Sequence, residues 1–130
     1  MHGPRKSPEK ALLAGVDILS ATLGPHGFEF ELRGVGKGSG GHFAWGEFVR
    51  DDRRLELHYR ESLGLVTYHA SGRAATHEAY MRELGVWGRN RYPGYSSDHL
   101  QAFRDLAHDL AFAEDFLSGD ADCLLSASDK

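Results

Sequence analysis

A single cysteine, Cys123, stands among the 130 residues, so no internal disulfide can close and no cysteine-built zinc cluster is possible. A chain with so little thiol suits a reducing, cytoplasmic setting. Long apolar runs are missing as well. No stretch approaches the roughly 20 apolar residues that span a bilayer, and the opening segment with Arg5 and Lys6 leads into a helix-like pattern instead of a signal-peptide core. Neither sign of charge dominates. The formal net charge is -4, a mildly acidic field that repels phosphate backbones and disfavours nucleic acid and anionic membranes as partners. At 41% hydrophobic and 26% charged, the composition is that of a globular chain with a core.

What the sequence does have is alternation. Phe28, Phe30 and Leu32 alternate with Glu29, Glu31 and Arg33, and Leu55, Leu57 and Tyr59 alternate with Glu56, His58 and Arg60. A period of two is the mark of a pleated strand with one buried face. Strands are expected near 28–33, from His42 onward, at 54–60 and at 64–70, joined by Gly34 to Gly41, Asp51-Asp52 and Glu61-Ser62. In the second strand Phe43 and Trp45 share one parity and Phe48 the other, which predicts either a bulge near Gly46 or apolar groups on both faces.

Helical spacing brackets this block. Ser7, Pro8 and Glu9 form an N-terminal cap signal ahead of Leu12, Val16, Leu19 and Leu23, with Gly24-Pro25 as the stop. Thr76 can cap a short helix carrying His77, Tyr80, Met81 and Leu84. From Ser96 or Ser97 a long helix is expected through Leu100, Phe103, Leu106, Leu110, Ala113 and Leu117 to Gly119, and residues 120–130 are expected to fray. The expected fold is α+β: one domain over 1–130 with an ordered core at 7–119, a four-stranded antiparallel meander, an N-terminal helix and two C-terminal helices on one face. The order α-β-β-β-β-α-α makes a two-layer sandwich.

Several familiar chemistries fail on spacing. The glycine stretch 34–41 is followed by a strand, not by a helix N-terminus, so it is a hairpin loop and not a phosphate cradle, although Lys37 could touch an anion. His77-Glu78 begins like a metalloprotease helix, but Met81 stands where the second histidine belongs. No cofactor is expected.

Register directs attention to the sheet's outer face. Pairing Glu61 with Gly64 sets Leu57 opposite Tyr68, His58 opposite Thr67 and Glu56 opposite His69, while Trp45 falls beside His58 and Phe43 beside Arg60. The face then holds Phe43, Trp45, Glu47, Glu56, His58, Arg60, Thr67 and His69. Glu56, His58, Arg60 and His69 are the acid-base candidates, because imidazole titrates near neutrality and a guanidinium can hold an oxyanion. Two histidines and a glutamate are also a donor set for a divalent metal, and a solvated strand face carries the same residue types with no site at all. Phe43 and Trp45, with Trp87, Arg89, Arg91, Tyr92 and Tyr95 of the loop 86–96, are candidates for partner contact. Phe112 and Phe116 project away from the main stripe of the last helix, which suggests a homodimer interface.

Three runs resemble a family of small uncharacterised bacterial proteins: Gly38 to Gly41 leading to Gly46-Glu47-Phe48-Val49-Arg50, then Arg54 to Gly64, and finally His108-Asp109-Leu110 to Phe116-Leu117-Ser118-Gly119. The resemblance implies a stand-alone bacterial domain and carries no activity with it. The first functional expectation is a non-enzymatic, protein-binding domain of adaptor or toxin-neutralising type. Alternatives are a small enzyme using the Glu/His/Arg cluster and a module that grips a small anion.

Overall fold

Pro8, which has no N–H to satisfy, opens helix α1 (Pro8–Leu23). Leu12, Val16, Leu19 and Leu23 form its buried stripe, and a 3₁₀ turn (Gly24–His26) closes it, with Gly27 at φ 86°. The computed structural model describes residues 8–38, 41–94 and 98–128. Ser7, Ser39, Gly40, Tyr95, Ser96 and Ser97 lie outside the described residues.

The alternating block folds into an antiparallel meander of β1 (Glu29–Gly38), β2 (Gly41–Arg50), β3 (Arg53–Tyr59), β4 (Leu63–Ala70) and β5 (Arg73–Thr76), in spatial order β1-β2-β3-β4-β5. The α+β class is as expected, but there are five strands instead of four. Ser71 and Gly72, at φ 53° and 76°, turn the chain directly after Ala70, and Ala70 pairs with Arg73.

Leu55, Leu57, Tyr59, Val66, Tyr68 and Ala70 are buried, so one face of β3 and β4 forms the core. Tyr59 stacks on Phe103, and Tyr68 meets Tyr80 and Phe116 edge-on. These partners belong to the helices that cover this face: α2 (His77–Glu83), α3 (Gln101–Leu110) and α4 (Glu114–Leu117), with α5 (Asp122–Ser128) packed on α2 and β5. Thr76 caps α2 as expected, its hydroxyl accepting from the Ala79 N–H at 3.2 Å.

Two helical expectations are corrected. The long last helix breaks at residues 111–113, where Ala113 leaves the helical region (φ -95°, ψ 38°), and the break turns Phe116 into the core. There it stacks on Phe28 at 5.3 Å, so it cannot form a dimer patch with Phe112. The tail expected to fray is instead helical over Asp122–Ser128, with Leu124 and Ala127 buried. Two arginines of the β2–β3 hairpin tie down α4 and the 3₁₀ turn. Arg50 donates to the carbonyls of His26 (2.8 Å) and Leu117 (2.5 Å), and Arg53 donates to those of Asp115 (3.0 Å) and Phe116 (2.7 Å).

Among the described residues, no helix is long and apolar enough to cross a membrane.

Candidate functional site

The described part of the glycine stretch expected as a loop is strand. Gly34 pairs with Trp45, Gly36 with Phe43 and Gly38 with Gly41. Its glycines make room for rings on the outer face: a Cβ on Gly34 would lie 2.8 Å from Nε1 of Trp45, and one on Gly36 would lie 3.0 Å from Phe43. Phe43 and Trp45 face outward and Phe48 inward, so β2 does carry apolar groups on both faces. The bulge is in β1, where Arg33 is inserted between Leu32, which pairs with Gly46, and Gly34, which pairs with Trp45. That extra residue brings Arg33 to Glu47.

Trp45 lies opposite His58, and the two rings stack at 5.2 Å and 3°. One row further along, the Arg60 guanidinium lies 5.8 Å from the centre of the Phe43 ring. The expected β3–β4 register is corrected by two residues. Tyr59 pairs with Leu63, and an extra residue at Gly64–Leu65 follows before Leu57 pairs with Val66. Tyr68 therefore lies opposite Leu55, Thr67 opposite Glu56, and His69 opposite Arg54. A shift of two keeps every side chain on its face, so the cluster still assembles.

Glu47, Glu56, His58 and His69, joined by Arg33 and Arg54, form one hydrogen-bonded chain, and Arg60 stands apart from it. Glu47, only 2% exposed, receives Arg33 Nε at 2.9 Å and an Arg54 terminal nitrogen at 2.7 Å. Glu56 accepts from Nε2 of His58 at 2.5 Å and from Nε2 of His69 at 2.8 Å. Partial burial pushes the Glu56 carboxyl up, but the bonds from His58 and His69 more than offset it, and it titrates below its usual range.

The hydrogen-bond directions bear on the metal alternative. Glu47, Glu56 and His69 bring one donor atom each to within 4.8 Å of one another. Arg54 also reaches Nδ1 of His69 at 3.3 Å. A guanidinium can only donate, so Nδ1 accepts and Nε2, the nitrogen facing Glu56, carries the proton. A metal would need that lone pair, and both Glu47 oxygens are already held by arginines. The donor set is thus built as an ion-pair network and does not fit a cation in this arrangement.

Beside the network, on the same face, lies a shallow groove of about 440 Å³. Phe43, Trp45, His58, Arg60, Ser62 and Gly64 line it. Glu56 is not in its wall and reaches it only through His58.

The loop 86–94 is anchored inward by Val86 and Tyr92 and leaves most of its other residues exposed. Tyr92 is buried and donates its hydroxyl to the carbonyls of Leu63 (2.9 Å) and Gly64, with its phenol pushed up to about 12 by burial. It is therefore a packing residue and not a surface contact. Trp87 is 36% exposed and carries the Arg82 guanidinium at 4.7 Å, while Arg89 lies 5.3 Å over Phe112. Arg91 keeps an exposed side chain, and Tyr95 lies outside the described residues.

Beneath the sheet is a second network that periodicity does not reveal. The Tyr68 hydroxyl bonds Nδ1 of His77 at 2.8 Å, and Nε2 of His77 donates to Asp109 at 2.9 Å. Asp109, wholly buried, also accepts from the N–H groups of Arg91 (2.7 Å) and Tyr92 (2.8 Å) and from His108 (2.9 Å). Burial pushes its carboxyl up, but these bonds prevail and hold it low, whereas burial and the Asp109 charge push the Tyr68 phenol well up. A hydroxyl, an imidazole and a carboxylate in series resemble a nucleophilic relay, yet Tyr68 is sealed from solvent and cannot meet a substrate. The available signal was Asp109 itself, a carboxylate next to Leu110 on the buried stripe of α3.

No family model matches the chain, and neither do curated proteins or solved structures.

Proposed function

We propose that this chain is a non-enzymatic, protein-binding domain of adaptor or toxin-neutralising type, and that its open sheet face is the binding surface. One observation carries the reading. Phe43 and Trp45 sit on a glycine floor beside a network whose buried carboxylate already has its counter-charges. Rings held this way lose little freedom on association, and aromatic anchors framed by satisfied polar groups are what binding hot spots consist of.

The test is capture from a lysate of the source cell by the immobilised chain and by Trp45→Ala, with identical circular dichroism establishing that both are folded. The same protein should be retained by the parent and lost from the variant, a drop of roughly 30-fold or more in affinity for a hot-spot residue. Equal capture by both rejects the face.

A second reading is favoured by the 2.5 Å bond between Glu56 and His58, because a carboxylate-oriented imidazole in a groove wall is suited to acid-base chemistry. Glu56→Gln separates the two: Glu56 is not in the groove wall, so partner capture should persist, whereas turnover should fall sharply if the second reading holds, because the imidazole of His58 loses its carboxylate.

A further inference from the structure

Beside the groove, the buried and half-buried carboxylates of the open face hold their basic partners. Arg33 and Arg54 share the buried Glu47, and His58 and His69 share Glu56. Arg60 has no carboxylate within 4.0 Å among the described residues, and the one hydrogen bond its guanidinium makes among them is a long one, 3.4 Å to the Gly41 carbonyl. None of the groove's lining residues is acidic. His58 also contributes: with Nε2 bound to Glu56, Nδ1 is its remaining hydrogen-bonding atom. The rings of Phe43 and Trp45 supply apolar wall beside these polar groups. At about 440 Å³ the space suits one anchoring group and not an extended segment.

We propose that this groove receives a carboxylate-bearing anchor of the protein partner, an acidic group on an aromatic or apolar body, with Arg60 pairing to the carboxylate and Phe43 and Trp45 carrying the body. The proposal rests on the open-face binding reading and names the chemistry that face selects. A guanidinium and a carboxylate form the strongest of the common charge-assisted pairs, and here the cation is already in place with no carboxylate partner among the described residues.

N-acetylphenylalanine and its uncharged amide are the probes, titrated into the ¹⁵N-labelled full chain. The acid should shift the Trp45 indole N–H and the Gly64 and Arg60 signals, with a Kd in the millimolar range, and should bind about tenfold or more tighter than the amide. Arg60→Gln should reduce the acid to the level of the amide. Arg104→Gln, which removes an equal charge from α3, should leave the difference intact.

Equal response to acid and amide, or a difference that survives Arg60→Gln, overturns the proposal. Silence with both probes overturns it too. In either case, partner capture that still depends on Trp45 would show that the open face binds by other means.

Discussion

Two histidine–carboxylate networks lie on opposite faces of one sheet, and they differ in what else the carboxylate holds. Beneath the sheet, Asp109 gathers His77, His108 and two backbone N–H groups of the loop 86–94, so it fixes main chain. On the open face, Glu47 and Glu56 gather only side chains, from β1, β3 and β4. Removing Asp109 therefore leaves buried donors stranded, whereas the arginine partners of Glu47 can turn to water. The same residue types thus act as a structural keystone on one face and as the frame of a surface on the other.

Asp109→Ala should break this contrast most visibly. Loss of a buried, multiply bonded carboxylate costs about 3–5 kcal/mol, and thermal unfolding should show a Tm lower by roughly 10–20 °C. The acid limb of stability provides a second measure. Asp109 and Glu56 both have folded pKa values below their ordinary ones, so their stabilisation is present above the ordinary carboxylate range and is lost as pH falls through the lower folded values. Urea titrations across that window should show the acid limb flattened more by Asp109→Ala than by Glu56→Gln.

Glu47→Gln should cost less, about 1 kcal/mol, because the arginine heads it holds are partly in solvent. A loss as large as that from Asp109→Ala would erase the distinction between the two networks. Gly34→Ala should have the smallest effect on stability, about 1 kcal/mol or less, once the Trp45 ring moves off the added methyl. It should still shift the Trp45 emission in a Trp87→Phe background. An unchanged spectrum would mean that the glycine floor does not position the ring.

The legible parts of the molecule are those governed by neighbours in sequence. The α1 stripe, the Thr76 cap and the alternation of β3 were readable because period and capping are local. Trp45 beside His58 was readable because the Asp51-Asp52 turn leaves little freedom in register. The β3–β4 register was not. A three-residue turn and an inserted residue at Gly64–Leu65 nearly compensate, and no local preference distinguishes that pair from a simple two-residue hairpin. The helix break at Ala113 is hidden by an apolar pattern that runs through it. Arg33 and Arg54 were missed as the clamp on Glu47 because one reaches it through a bulge and the other across strands. The Tyr68–His77–Asp109 series contains a bond between residues 32 apart in sequence, His77 and Asp109, so only tertiary packing brings it together.

Helix α5 is short, yet it packs on β5, the last strand of the sheet. Without α5, whose Leu124 and Ala127 are buried, apolar surface would open beside the unpaired N–H and C=O groups of this four-residue edge strand, a template for a neighbouring chain. Trimming the protein after Gly119 should therefore promote intermolecular sheet growth and precipitation, which makes the final helix a guard against aggregation.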